Sequence, residues 1–179
     1  MRKLFNLKSW LTLPDTTRYL SVLFDEEVTE SDVLRLALDG HLCLSVNIVN
    51  KIVARAGKLV PIGEAVFNEL PSLNDHSSVR IYKGPTIYTD SVATHIVEFE
   101  IDIVELQGIY DLVMLGSEKT DIARRYYKLN GGPQIESVNL AGAFVSGGKG
   151  RLCQIQASLE DQQNISGSRA YGVRSFIII

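Results

Sequence analysis

A chain of 179 residues, 45% of them hydrophobic, has material for one or two domains and a true core. No apolar run approaches the ~20 residues of a membrane-crossing helix, and a net charge of −3 argues against holding nucleic acid by bulk charge. The charge is uneven, with eight Lys and Arg against seven Asp and Glu in residues 1–62 and ten against fourteen in residues 63–179. Any nucleic-acid role therefore has to rest on a local patch. The start, MRKLFNLKSW, lacks the apolar segment and small-residue cleavage site of a secretory signal. With Cys43 and Cys153 far apart in sequence, reduced, buried thiols and a cytoplasmic location are expected.

In chain order, Thr12 is placed to cap a helix, with Pro14 in the first turn and Asp15 at the positive helix end. Tyr19, Leu20, Val22, Leu23 and Phe24 give that helix one broad apolar face, and the acidic Asp25–Glu27 predicts an exposed turn. Thr29 caps a second helix with Asp32 at its third position, Val33, Leu34, Leu36, Ala37 and Leu38 supply the packing side, and Gly40 stops it. Leu42, Leu44, Val46 and Ile48 then alternate with polar residues, the period of a half-buried strand.

VARAGKLVPI predicts a turn at Ala56–Gly57 and a returning strand, with Lys51, Arg55 and Lys58 clustered at the tip. NELPSLNDHSS, residues 68–78, reads as a linker or long loop. VRIYKG is a short strand, and HIVEFEIDIVEL sets Glu98, Glu100 and Asp102 against Phe99, Ile101 and Ile103. EKTDIARRYYKLN is a helix stopped by Asn130–Gly131–Gly132–Pro133. IESVNLAGAFVS and RLCQIQASL are two strands joined by GGKG, and the terminal FIII is either a docked last strand or a sticky end. The expected fold is α+β. A winged-helix-like unit over residues 1–67 precedes a mostly antiparallel β-rich part over 78–179, with one helix near 118–129.

Trp10, Thr12, Leu20, Val33, Leu36, Asp39, Gly40 and Leu42 stand in an order that resembles the excisionase and MerR-like winged helix-turn-helix, which often opens on W-x-T and closes its second helix on D-G-x-L. The phrases VTESDVLRLALDGHLCLSV, GIYDLVMLG and NLAGAF further resemble a group of uncharacterised bacterial proteins encoded among mobile-element genes. The first likeness covers the first third of the chain, the second most of it. The first implies a DNA-associated accessory or regulatory protein, dimeric on duplex DNA, and the second brings no known activity.

The residues depart from that pattern where it matters. A reading helix presents Arg, Lys, Asn or Gln to base edges and phosphates. Residues 30–39, ESDVLRLALD, offer Arg35 alone against Glu30, Asp32 and Asp39, and FDEEVT is longer than the usual three- or four-residue turn. The expected phosphate contacts are therefore Lys51, Arg55 and Lys58, with Arg35 nearest the bases and Arg2, Lys3 and Lys8 in reserve. A protein-interaction module reusing the helix-turn-helix frame, with Asp25–Glu27 and Glu30 facing a basic partner, is the other reading.

Other motifs point to no chemistry. SGGKG lacks the spacing and the following helix of a phosphate loop and fits a hairpin turn. Glu98, Glu100 and Asp102 read as a solvated strand face rather than a cation site. His41, His76 and His95 are not spaced with the cysteines as zinc ligands. No nucleophile elbow accompanies any Cys or Ser, and in DIARRYYKL only Arg124 and Lys128 share a helix face. No catalytic residue, metal, cofactor or membrane partner is expected.

Overall fold

The computed structural model describes residues 8–71, 78–89, 92–135, 142–148, 150–155 and 173–178. The chain is α+β, with three helices and an antiparallel sheet among the described residues. A short β1 (Leu11–Thr12) leads into α1 (Leu13–Phe24), and α2 (Glu30–Leu38) follows the acidic turn. Both helices start as their caps dictate. The Thr12 hydroxyl accepts from the Asp15 N–H at 3.2 Å. At α2 the Thr29 hydroxyl accepts from the Asp32 N–H at 3.3 Å while the Asp32 carboxylate accepts from the Thr29 N–H at 2.8 Å, a complete capping box. Gly40, at φ +79°, turns the chain out of α2, and the His41 N–H donates to the Leu36 carbonyl at 2.8 Å, closing a left-handed cap.

Beyond it, β2 (Leu44–Pro61) runs unbroken for 18 residues. β3 (Phe67–Pro71) and β4 (Ser78–Tyr82) form a separate two-stranded sheet. The large sheet is completed by β5 (Thr86–Thr89), β6 (Val92–Asp111), β7 (Ala143–Ser146), β8 (Arg151–Ile155) and β9 (Val173–Ile178), with α3 (Ser117–Leu129) between β6 and β7. β2 is the spine. One edge pairs with β6 from Ser45–Asp111 to Pro61–His95, and the other pairs first with β9 and then with β8. β7 pairs with β8 and also bridges to Leu112 just past β6, so β2, β8, β7 and the end of β6 close on one another. A closed arrangement leaves fewer unpaired edges than an open sheet.

The turn expected at Ala56–Gly57 is absent. Both residues are buried within β2, opposite Cys153 and Leu152 of β8. A Cβ on Gly57 would lie 2.8 Å from the Glu98 carbonyl oxygen, so the glycine admits the close approach of β6 at a register shift between Arg55 and Gly57. The loop expected over 68–78 is also partly strand. Asn68–Pro71 pair with Ser78–Ile81, and residues 72–77 lie outside the described residues.

Strand alternation separates two apolar clusters. Ile52, Ala54, Leu106, Val145, Cys153 and Ile155 point to the face that carries the helices, where Leu13, Leu20, Val33, Leu34, Ala37 and Ile122 meet them. Phe144, Val97 and Leu152 point the other way and are covered by Ile87, Phe99, Val113 and Leu115. The hairpin expected at GGKG joins β7 to β8, with the Gly147 N–H donating to the Arg151 carbonyl. The apolar end of the chain is a docked strand: β9 lies between β1 and β2, with Ile178 opposite both Leu11 and Leu44.

Candidate functional site

Of the four cations singled out in the sequence, three share β2. In a strand, residues an odd number apart face opposite ways. Arg55 pairs with Ile103, and Val53 with Glu105, on the face without helices; Lys51 joins them through its ion pair to Glu105 at 2.7 Å. Lys58 lies three residues past Arg55, opposite Glu98, and its ammonium is 3.8 Å from the Glu98 carboxylate. It therefore sits on the opposite face of the sheet. Arg35 belongs to α2 and is tied to Asp39 one turn on, at 2.8 Å. The expected cluster at a hairpin tip does not form, because the hairpin itself is replaced by a continuous strand.

Each of these cations also has a neighbour of its own. Asp39 raises the pKa of Arg35, and Glu105 that of Lys51, each by a direct hydrogen bond. The Arg55 guanidinium lies 4.2 Å over the Phe99 ring, a cation–π contact. Exposed ion pairs contribute little to stability, but those of Arg35 and Lys51 each place a carboxylate where a phosphate would approach, whereas Arg55 meets an aromatic ring. Of the reserve cations, Lys8 is bound to Asp15 at 2.6 Å, and Arg2 and Lys3 lie outside the described residues.

Two members of the carboxylate row on β6, Glu98 and Glu100, are paired too. Glu98 meets Lys58 and accepts the Val66 N–H, and Glu100 is ion-paired with Arg151. Among the described residues no group of three or more His, Cys, Asp and Glu is disposed to hold a metal ion. His76 lies outside them. The cysteines are free thiols, Cys153 buried and Cys43 exposed rather than buried as expected. Burial and, at Cys43, the Asp111 carboxylate push both thiols up, away from the thiolate a nucleophile requires.

Sequence reasoning missed Glu118. It is fully buried in the first turn of α3, and its carboxylate accepts N–H groups of Leu115 (2.8 Å), Gly116 (3.0 Å) and Phe144 (2.9 Å). Desolvation raises its pKa and the three donors oppose that rise. It pins the corner before α3 to β7, which is a structural task. In sequence it is one more acid of EKTD; only the distant Phe144 distinguishes it. A cavity of about 520 Å³ lies at the far end of α3, lined by Arg124, Lys128 and Gly131–Gln134. Arg124 there is already held by Asp121 at 2.9 Å and by the Ile135 carbonyl.

What has no counterpart within the fold is apolar surface. Between Lys51 and Arg55 on β2 and across to β6, Val53 is 60% exposed, Ile103 68% and Ile101 100%. Ile101 and Ile103, which alternate with the acids of β6, are both exposed. They adjoin the register shift and stand clear of the second cluster, which closes over the sheet only from Phe99 onward. A second such surface is the last turn of α1, where Val22, Leu23 and Phe24 are about half exposed beside Asp25, Glu26 and Glu27. Contiguous exposed apolar groups of this kind mark interaction sites more often than isolated ones do. No described helix is long and apolar enough to cross a membrane. No family model, curated protein or solved structure matches the chain.

Proposed function

We propose that this chain is a non-catalytic protein-interaction module in which the two capped N-terminal helices serve as a packing platform. The observation that carries this reading is the exposed Val53 and Ile103 on the helix-free face of the sheet, with the fully exposed Ile101 in the adjoining register shift. The buried face of α2 supports it as well. Val33, Leu34 and Ala37 are sealed in the core, and the outer side offers Arg35 bound to Asp39, with Asp32 engaged in its cap.

The rival reading is a DNA-associated accessory protein with a winged unit over residues 1–67. It draws on the order of two capped helices, a glycine stop and a strand. Weighing against it, the strand continues where a wing should turn back, and Lys58 faces away from Lys51 and Arg55.

A photo-cross-linking residue placed at Ile103 separates the two in the cell that makes the protein. The interaction module gives protein adducts at that position. Adducts to nucleic acid, or none of either kind, would overturn it. The position is largely solvent-exposed, so the replacement leaves the fold intact.

A further inference from the structure

The sheet strip and the end of α1, two of several exposed apolar surfaces that also include Leu70, Val79 and Ile81 of the β3–β4 sheet, differ in charge. On the strip Lys51 is ion-paired with Glu105 at 2.7 Å, and Arg55 lies over the Phe99 ring, with no carboxylate ion-paired to it among the described residues. The end of α1 carries Asp25, Glu26 and Glu27, and no cation among the described residues pairs with them. Each surface combines about the same number of large apolar side chains with a charge excess of the other's opposite sign. Within one chain they cannot meet, because α1 lies over the helix-bearing face and the strip is on the other.

We propose that the occupant of the sheet strip is a second copy of this chain, presenting the end of its α1. Leu23 and Phe24 of one copy cover Val53, Ile101 and Ile103 of the next, and Asp25–Glu27 of the first stand over Lys51 and Arg55 of the second. Complementary potentials of this kind set orientation and speed encounter. The burial of branched apolar groups supplies the main attraction. Because the two contacting surfaces are different, the contact is head-to-tail, and successive copies build a ring or an open chain rather than a closed two-fold dimer. The inference rests on the interaction-module reading and names its partner.

Sedimentation velocity on the full chain tests it with two variants, Phe24→Asp and Ile103→Asp. The wild type associates beyond a dimer as concentration rises, and added salt weakens the association. Each variant alone stays monomeric, since each has lost one half of the contact. Mixed one to one, the variants form a discrete dimer, the intact helix end of Ile103→Asp seating on the intact strip of Phe24→Asp. Both positions are more than half exposed, and an unchanged far-ultraviolet circular dichroism spectrum checks the fold. The milder Phe24→Ser and Ile103→Thr reproduce the pattern if the aspartates perturb it. A monomeric wild type, a variant that associates like wild type, or a mixture that remains monomeric would each overturn the proposal. Cross-links from Ile103 to foreign proteins alone would sink the second copy as partner while leaving the module reading in place. Cross-links to nucleic acid would sink both.

Discussion

Glu118 ties three backbone N–H groups to one buried carboxylate. One of its oxygens accepts two N–H groups and the other accepts the Phe144 N–H. In Glu118→Gln one acceptor becomes a donor facing a donor, which leaves buried polar groups unpaired at about 1–3 kcal/mol. Thermal or urea unfolding is expected to show that loss. The pH dependence has a definite sign. The folded pKa is raised, so the native state binds this proton more tightly than the unfolded chain does. The advantage of wild type over Glu118→Gln is therefore largest in acid and shrinks as pH rises through the elevated pKa. A gap that widens with pH would contradict the assignment.

Gly57 shows why single residues mislead. In ARAGK it reads as a turn; what requires it is the Glu98 carbonyl, forty-one positions away in sequence. Gly57→Val forces β6 away from β2 and should cost about 1–3 kcal/mol by overpacking. A hairpin turn would instead tolerate Asn at this position well, so a stability profile in which Gly57→Asn matches wild type would revive the turn.

At the scale of elements, what is local was legible and what is paired at a distance was not. α1, α2 and α3 announce themselves through Thr12, Thr29 with Asp32, Gly40 and the Asn130–Gly132 stop, all within a few residues of the ends they set. Thr29→Ala removes the hydroxyl that accepts the Asp32 N–H, and an N-cap loss of this kind costs about 1 kcal/mol. The Thr29 hydroxyl and N–H hold the Asp32 carboxyl below its usual range. Its contribution is thus present at neutral pH and lost as pH falls through that lowered value, an acid-limb difference that Thr29→Ala should reduce in the unfolding curve, the backbone N–H at position 29 remaining.

The strands are another matter. Val49–Val60 has the composition of two short strands, and typical strands run 3–10 residues. That β2 continues to Pro61 depends on β6 and β8 lying alongside, which no window around Gly57 reveals. The terminal FIII left a docked strand and a sticky end open for the same reason, and the pairing of β9 with β1 and β2 decided it.

For the whole molecule, one sheet takes strands from both parts of the chain. β2 lies in the first part of the chain, and β6, β8 and β9 of the second part pair along both its edges. The same architecture parts the cations that looked clustered, leaving Lys51 and Arg55 on one face and Lys58 on the other. It also leaves Ile101 and Ile103 exposed.

The most direct measurement is fluorescence anisotropy of random-sequence duplex DNA titrated with the protein at low and at moderate salt. Binding through several phosphate contacts would show as a steep fall in affinity with salt. The account predicts no saturable binding at low salt, and no difference between wild type and the Lys51/Arg55/Lys58→Ala variant. Saturable binding whose steep salt slope disappears in that variant would contradict it.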